Sequence, residues 1–327
     1  MNVLVTGGTG FIGSFLVEAL VNRGDCVRCL VLEGEPLGRI AHLPVQWCYG
    51  DLCRSETLRP IVRSVDYIYH LAGLKQTWDE VQYFRVNFEG TKNLVEACLS
   101  ENRALKRFLF TSSQAAAGPS RDGHPLTEEE ACAPRTAYGR SKRAAEEYLL
   151  AQRAELPITI VRLALVYGPT NITTEKGLAM ARWRLIPKID QFINLIHIQD
   201  AVEALILAAE HERARGQLYF ITNAEPVSLQ DVVEQTLKIQ NRTGLVVPIP
   251  QWLLRLFAKL GGAYRTWADR PQRPLDMKEE LSDLLQKYWI CSGEKAKHEL
   301  GFQPRVSLKA GIEQTLRWYE NRSSQKR

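Results

Sequence analysis

Apolar spacing defines the first elements of the chain. Val3-Leu4-Val5 is an apolar run of strand length that breaks on Gly7-Gly8, and Phe11, Ile12, Phe15, Leu16, Ala19 and Leu20 then recur with helical spacing. The pattern predicts strand, tight turn, helix. It continues with strands at Cys26 to Leu32, at Val45 to Tyr49 and at Val65 to Tyr69, the last two running into Gly50-Asp51-Leu52 and His70-Leu71-Ala72-Gly73. A helix carrying Asn87 to Thr91 leads to a strand at Phe108 to Phe110, ending in Thr111-Ser112-Ser113. A helix with Tyr138 and Lys142 then precedes a strand at Ile158 to Val166. Strands alternating with helices predict an α/β fold with a doubly wound parallel sheet, in which ligands gather at the carboxyl ends of the strands.

Past Val166 the alternation lapses until Ile193 to Asp200. A helix from Ala201 to about Glu210 and a strand at Leu218 to Thr222 are expected to return to the sheet. From Glu225 onward the pattern is mainly helical, broken at Pro248, Pro250, Pro271 and Pro274. The division that follows is a dinucleotide-binding domain at 1–166, rejoined by 190–224. A smaller, mainly helical substrate-binding domain takes 167–189 and 225–320, and 321–327 forms a flexible basic tail.

Composition narrows the function classes. The 327 residues hold 42 basic and 37 acidic side chains, a net charge of +5 that is scattered apart from the tail, so nucleic acid is not an expected partner. No apolar run approaches the ~20 residues of a membrane span, and the first strand starts too early for a leader, so the expected location is cytoplasmic. Seven cysteines lack metal-ligand spacing, including the Cys26 and Cys29 pair inside a strand pattern. They read as reduced core thiols, with no metal site.

The turn after the first strand carries Gly7, Gly10 and Gly13, with Phe11 and Ile12 opening the helix. Such spacing permits the bend, a close approach of pyrophosphate to the backbone and tight helix–strand packing, so a dinucleotide is the expected occupant. Tyr138 and Lys142 stand four apart on a predicted helix and so share a face. A nearby ammonium is expected to lower the phenol from its usual pKa of about 10, making Tyr138 a proton donor and acceptor. Ser113, at a neighbouring strand end, is placed to hydrogen-bond the reacting oxygen.

The motifs Thr6 to Gly13, Gly50-Asp51-Leu52, His70 to Gly73, Asn87 to Thr91, Thr111-Ser112-Ser113, Tyr138 to Lys142, Tyr167-Gly168-Pro169 and His197 to Asp200 occur in one order. In that order the chain resembles the extended short-chain dehydrogenases/reductases, the NAD-dependent epimerase/dehydratase family. The resemblance implies a Rossmann fold in which Asp51 and Leu52 contact adenine and Leu71, Ala72 and Gly73 line the cofactor channel. It further places Lys75 near the pyrophosphate, adds Asn87 to the cofactor site and has Lys142 hold the nicotinamide ribose. Hydride would pass between nicotinamide and a substrate carbon while Tyr138 moves the proton, and the chain would pair into a homodimer.

Two departures bear on the substrate. Where nucleotide-sugar enzymes of this family place an Asn and an Arg for the diphosphate, this chain has Leu165 and a segment near Ile193. Apolar groups cannot compensate a desolvated diphosphate. The pattern is closer to dihydroflavonol reductases and hydroxysteroid-type dehydrogenases, which favours an oxidoreductase acting on an alcohol or ketone carbon of a small, largely apolar molecule. The alternative is a nucleotide-sugar epimerase or dehydratase with tightly bound NAD, to which Arg182, Arg184 or Lys188 would supply phosphate contacts. A non-catalytic cofactor sensor is a third reading, disfavoured by the intact Ser, Tyr and Lys set. Glu33 points to NAD, whereas Arg39 would serve NADP. Trp78, Trp183 and the run Trp252 to Phe257 line an apolar pocket or simply pack. His197 and Asp200 read as helix caps.

Overall fold

In the computed structural model the described residues are 1–77, 79–171, 184–188, 190–248 and 286–325. Trp78, Arg182, Trp183, Pro250, the run 252–257, Pro271 and Pro274 lie outside them.

The sheet is built from β1 (Asn2–Thr6), β2 (Cys26–Val31), β3 (Gln46–Tyr49), β4 (Tyr67–His70), β5 (Arg107–Ser113), β6 (Ile158–Leu163) and β7 (Gln217–Ile221). All seven are parallel, in the order β7-β6-β5-β4-β1-β2-β3. The order reverses between β1 and β4, which opens a crevice at their carboxyl ends. Helices α1 (Phe11–Asn22), α2 (Gly90–Glu101), α3 (Ala137–Ala151) and α4 (Ile198–Glu210) cover the two faces.

Side chains alternate across β1, and each face has its own core. Val3 and Val5 join Leu16 and Leu20 of α1 and Leu205 of α4, whereas Leu4 joins Leu94 of α2, Phe108 and Phe110 of β5 and Leu149 of α3. A buried ion pair ties α3 to β6. Arg162 donates from Nε and Nη2 to Glu146, at 2.9 and 2.7 Å, and Ser112 of β5 donates to the same carboxylate at 2.6 Å. Each charge is satisfied by the other, and loss of either alone would leave an uncompensated ion in the interior.

The expected strand from Ile158 to Val166 is broken. At Ala164 the backbone N–H donates to Ile221 O (3.0 Å) and that of Leu165 to Asn194 O (3.3 Å). The chain therefore peels away from β5, and Leu165–Tyr167 pairs in parallel with Leu195–His197. The region after Glu225 is less purely helical than its pattern implied. Val227–Ser228 and Tyr288–Trp289 flank Phe192–Ile193 in a small sheet, and Leu245–Pro248 pairs with Leu185–Lys188. A helix, Leu308–Gln325, runs through most of the span expected to be a flexible tail. No helix among the described residues is long and apolar enough to cross a membrane.

The glycine turn is set by contact distances. Gly7 adopts φ +70°, and a Cβ there would lie 2.6 Å from Ala72 N. A Cβ on Gly13 would lie 2.0 Å from the carbonyl oxygen of Gly7. In an exposed helix Gly→Ala stabilises by about 1 kcal/mol. Here the backbone clash reverses the sign, so Gly13→Ala is expected to destabilise by roughly 1–3 kcal/mol, read as a lowered midpoint in urea. An unchanged or raised midpoint would contradict this packing.

Candidate active site

Helix α1 begins at Gly10 with no side-chain cap and no acidic residue in its first turn. By contrast α3 is capped by Thr136, whose Oγ1 accepts from Gly139 N at 3.0 Å, and α4 by His197. The positive end of α1 is thus left for an anion, and a dinucleotide pyrophosphate fits it. Beside the turn, Thr9 donates its hydroxyl to Glu35, whose other carboxylate oxygen accepts from Leu32 N at 2.9 Å. Glu33 is exposed, so Glu35 is the acid held against the glycine turn. Arg39 is turned elsewhere, paired with Glu18 and stacked 4.0 Å from the Phe15 ring centre.

The neighbouring strand end is held by a fully buried hydrogen-bond chain. Thr91 donates to Asn87 O (2.6 Å), so its oxygen accepts from His70 Nε2 (2.9 Å). His70 Nδ1 is then the acceptor for Thr6 Oγ1 (2.6 Å), which in turn accepts from Ala72 N (3.1 Å). Burial pushes the imidazole pKa down to about 3, and the neutral ring is the form this chain requires. Leu71 and Ala72 follow half-buried, and Gly73 is exposed. Leu52 is buried, while Asp51 accepts from Cys53 N at 2.8 Å.

Asn87 occupies a π-helical stretch, Phe84–Glu89. Its Oδ1 accepts from Leu74 N (2.6 Å), and its Nδ2 donates to Leu74 O (3.0 Å) and to Ser141 Oγ (2.9 Å). The amide is therefore a clamp between the 71–75 segment and α3, with its hydrogen bonds already committed to the protein. Lys75 is exposed, and its carbonyl accepts from Tyr83 Oη at 3.1 Å.

Ser113, Tyr138 and Lys142 meet at the end of β5. Ser113 hydrogen-bonds the Tyr138 hydroxyl, and the Tyr138 ring stands edge-to-face against Tyr83, with centres 6.1 Å apart. Lys142 is 3% exposed; its Nζ donates to Thr111 O at 2.7 Å and lies 4.0 Å from the Phe110 ring centre. A Cβ on Gly73 would stand 4.0 Å from that Nζ and 3.1 Å from Asn87 Oδ1. The amine thus adjoins the strand end expected to line the cofactor channel.

The electrostatics run opposite to the expectation for the phenol. Burial pushes Tyr138 up to about 12, with the Ser113 hydrogen bond opposing it, and pushes Lys142 down to about 7 despite the pull of Glu146. Desolvation penalises the charged form of both groups, and the amine spends its hydrogen bond on a backbone carbonyl. Lys142, rather than Tyr138, is the group tuned to neutral pH.

Spacing had marked the serine, tyrosine and lysine. Glu35 escaped because two acids flank one glycine in a turn without periodicity, and Thr6, Thr91 and Ser141 because isolated hydroxyls carry no pattern.

A model of the NAD dependent epimerase/dehydratase family matches residues 3–221. The chain is 28% identical over 326 residues to 4-hydroxy-2-methyl-3-oxo-4-farnesyl-3,4-dihydroquinoline-1-oxide ketoreductase of Stigmatella aurantiaca, covering 96% of this chain and 95% of that one. It is 26% identical over 333 residues to UDP-glucose 4-epimerase of Vibrio cholerae, covering 96% and 94%. The crystal structure of gox2253 superposes with a TM-score of 0.83 at 28% identity, over 98% of each chain. The matched span exceeds half the chain and contains the crevice just described: the protein belongs to the NAD-dependent epimerase/dehydratase family.

Proposed function

We propose that this protein is an oxidoreductase that interconverts an alcohol and a ketone on a small, largely apolar molecule, with NAD as cofactor. One observation carries the reading: the Ser113 hydroxyl bonds the Tyr138 phenol one helical turn from a buried amine, beside an uncapped helix start. Bound nicotinamide would supply or accept the hydride. Ser113 would hydrogen-bond the substrate oxygen, and Tyr138 would hold or release the proton on it. A forming alkoxide, more basic than the phenolate, would take the Tyr138 proton despite the raised pKa, and protonated Lys142 would stabilise the phenolate in both directions. The smaller unit, 167–189 with 225–320, is the proposed substrate-binding part of the chain.

Substrate polarity is argued from Leu165, which is 42% exposed, and from half-buried Ile193. Neither offers a hydrogen bond to a diphosphate. The Stigmatella relative, by its name a ketoreductase of a farnesylated quinoline oxide, supports an apolar ketone. The Vibrio cholerae relative favours a second reading, a nucleotide-sugar epimerase. Under the first, apolar ketones are expected to oxidise added NADH. NAD that survives purification, together with tight calorimetric binding of a UDP- or dTDP-sugar, would instead establish the second.

Tyr138→Phe is expected to leave cofactor affinity nearly unchanged and to lower kcat by about 10²–10⁴-fold. Turnover equal to the parent in that variant would remove Tyr138 from the mechanism. Glu35, held at the glycine turn, is the proposed acceptor for the adenosine 2′-hydroxyl. Glu35→Ser should lower the ratio of kcat/KM with NAD to that with NADP by roughly tenfold or more, while Glu33→Ser should leave it unchanged.

Lys142 also gives a stability signature. Between its folded pKa of about 7 and its ordinary value near 10.5, the unfolded chain binds a proton that the folded one does not. Stability therefore rises with pH across that window, is complete above it and is lost as pH falls through 7. Lys142→Met should lose turnover yet melt higher than the parent at pH 7, with the gain shrinking toward pH 10. A gain that is the same at both values would contradict a desolvated amine.

A further inference from the structure

Away from the candidate active site, a cavity of about 420 Å³ lies between α3, the loop 128–132 and the start of β7. Arg162 lines it and is 1% exposed. A guanidinium offers two edges for paired hydrogen bonds. The edge formed by Nε and Nη2 is filled by Glu146, at 2.9 and 2.7 Å. On the other edge, Nη2 also donates to the Sγ of Cys132 at 3.1 Å, and Nη1 has no hydrogen-bond partner among the described residues. An unpartnered N–H thus belongs to the same buried guanidinium that bonds a half-buried thiol, and both residues line a space large enough for a small peptide-like molecule.

The rim of the cavity carries both signs of charge, with Arg153 and Lys295 set against Glu129. Its acidic neighbours are already occupied: Glu128 accepts from Phe220 N at 2.8 Å, and Glu130 accepts from Thr127 N at 2.9 Å. An acceptor oxygen at Nη1 would recover the hydrogen bond that the fold leaves unmade, and a charged-group donor gives the stronger kind.

We propose that Cys132 is a site of S-thiolation, and that its co-reactant is a low-molecular-weight disulfide bearing both carboxylate and ammonium groups. The Cys132 sulfur, which accepts an N–H from Arg162 Nη2, reacts as its thiolate once its proton has passed to solvent. The thiolate attacks one sulfur of the disulfide. A bond forms between Sγ and that sulfur as the reagent's own S–S bond breaks, and the other half leaves as a thiolate that water protonates. Cys132 is oxidised and the departing thiol is reduced, so no further oxidant is needed. A carboxylate of the retained half takes Arg162 Nη1, and the rim groups receive its remaining charges.

The other cysteines lack this setting. Cys29, Cys98 and Cys291 are buried, burial pushes the half-buried Cys48 thiol up, Cys26 is exposed at the start of β2, and Cys53 Sγ faces the carbonyl of Arg85, which favours the protonated thiol. The inference does not depend on the reaction assigned to Tyr138.

The test is incubation of the full chain with glutathione disulfide at neutral pH, followed by intact mass measurement and peptide mapping. The first glutathionyl group is expected on Cys132, about tenfold faster than on Cys53 or Cys26. Cys132→Ser should melt like the parent and lose that adduct. Hydroxyethyl disulfide, which lacks charged groups, should react with Cys132 several-fold more slowly. First modification at another cysteine would overturn the site, and equal rates with the two reagents would overturn the ligand class.

Discussion

An amine in a nearly water-free position is the constraint on which the proposed chemistry rests. Lys142 sits under the end of β5 with one strong hydrogen bond, to Thr111 O, and a ring face, Phe110, beside it. Burial of a cation costs several kcal/mol unless it is paired. The carboxylate that pulls on it, Glu146, is one turn away along α3 and already committed to Arg162. The amine is therefore left near the point where it can hold or lose its proton at neutral pH. A neighbouring phenol inherits the same low dielectric, so the tyrosine alone is a poor acid until charge develops next to it. On this view the lysine supplies the charge and the tyrosine supplies the proton path.

Such an arrangement needs a rigid frame, since a displacement of about 1 Å can cost a hundredfold in rate. Two polar clusters provide it from opposite sides of α3. The Arg162–Glu146–Ser112 cluster fixes the helix to β6 and β5. The Asn87 clamp fixes the first turn of the same helix, through Ser141, to the segment after β4. Ser141 passes the constraint on by donating to the Tyr138 carbonyl at 2.8 Å. The His70 chain then holds that segment against the glycine turn. Each cluster is buried and hydrogen-bonded, so the crevice is organised before any ligand arrives.

The sheet and its order of elements could be read from apolar spacing because Val3, Leu4 and Val5 point to alternate cores and the helices answer them with a 3.6-residue period. The chemistry-bearing trio could be read because Tyr138 and Lys142 share a helix face. Three things could not. The break at Ala164 depends on backbone pairing with Ile221 and Asn194, residues far along the chain that leave no mark on local apolarity. The hydrogen bond that holds Glu35 to Thr9 depends on how the segment from Gly34 to Pro36 folds back on the glycine turn. The direction of the phenol's shift depends on burial, and spacing reports proximity without reporting solvent.

The last of these differences says something general about the site. Proximity of opposite tendencies, a phenol and an amine, suggests mutual stabilisation of two charges when both are wetted. Enclosure changes the comparison, because each ion must first lose its hydration, and for an unoccupied crevice that loss outweighs an attraction that nothing else reinforces. A ligand that brings its own hydroxyls and charge into the crevice alters the balance for both groups together. Their protonation is then coupled to occupancy of the site, and catalytic readiness becomes a property of the complex, while in the free chain the phenol stays neutral and the amine stands near its midpoint.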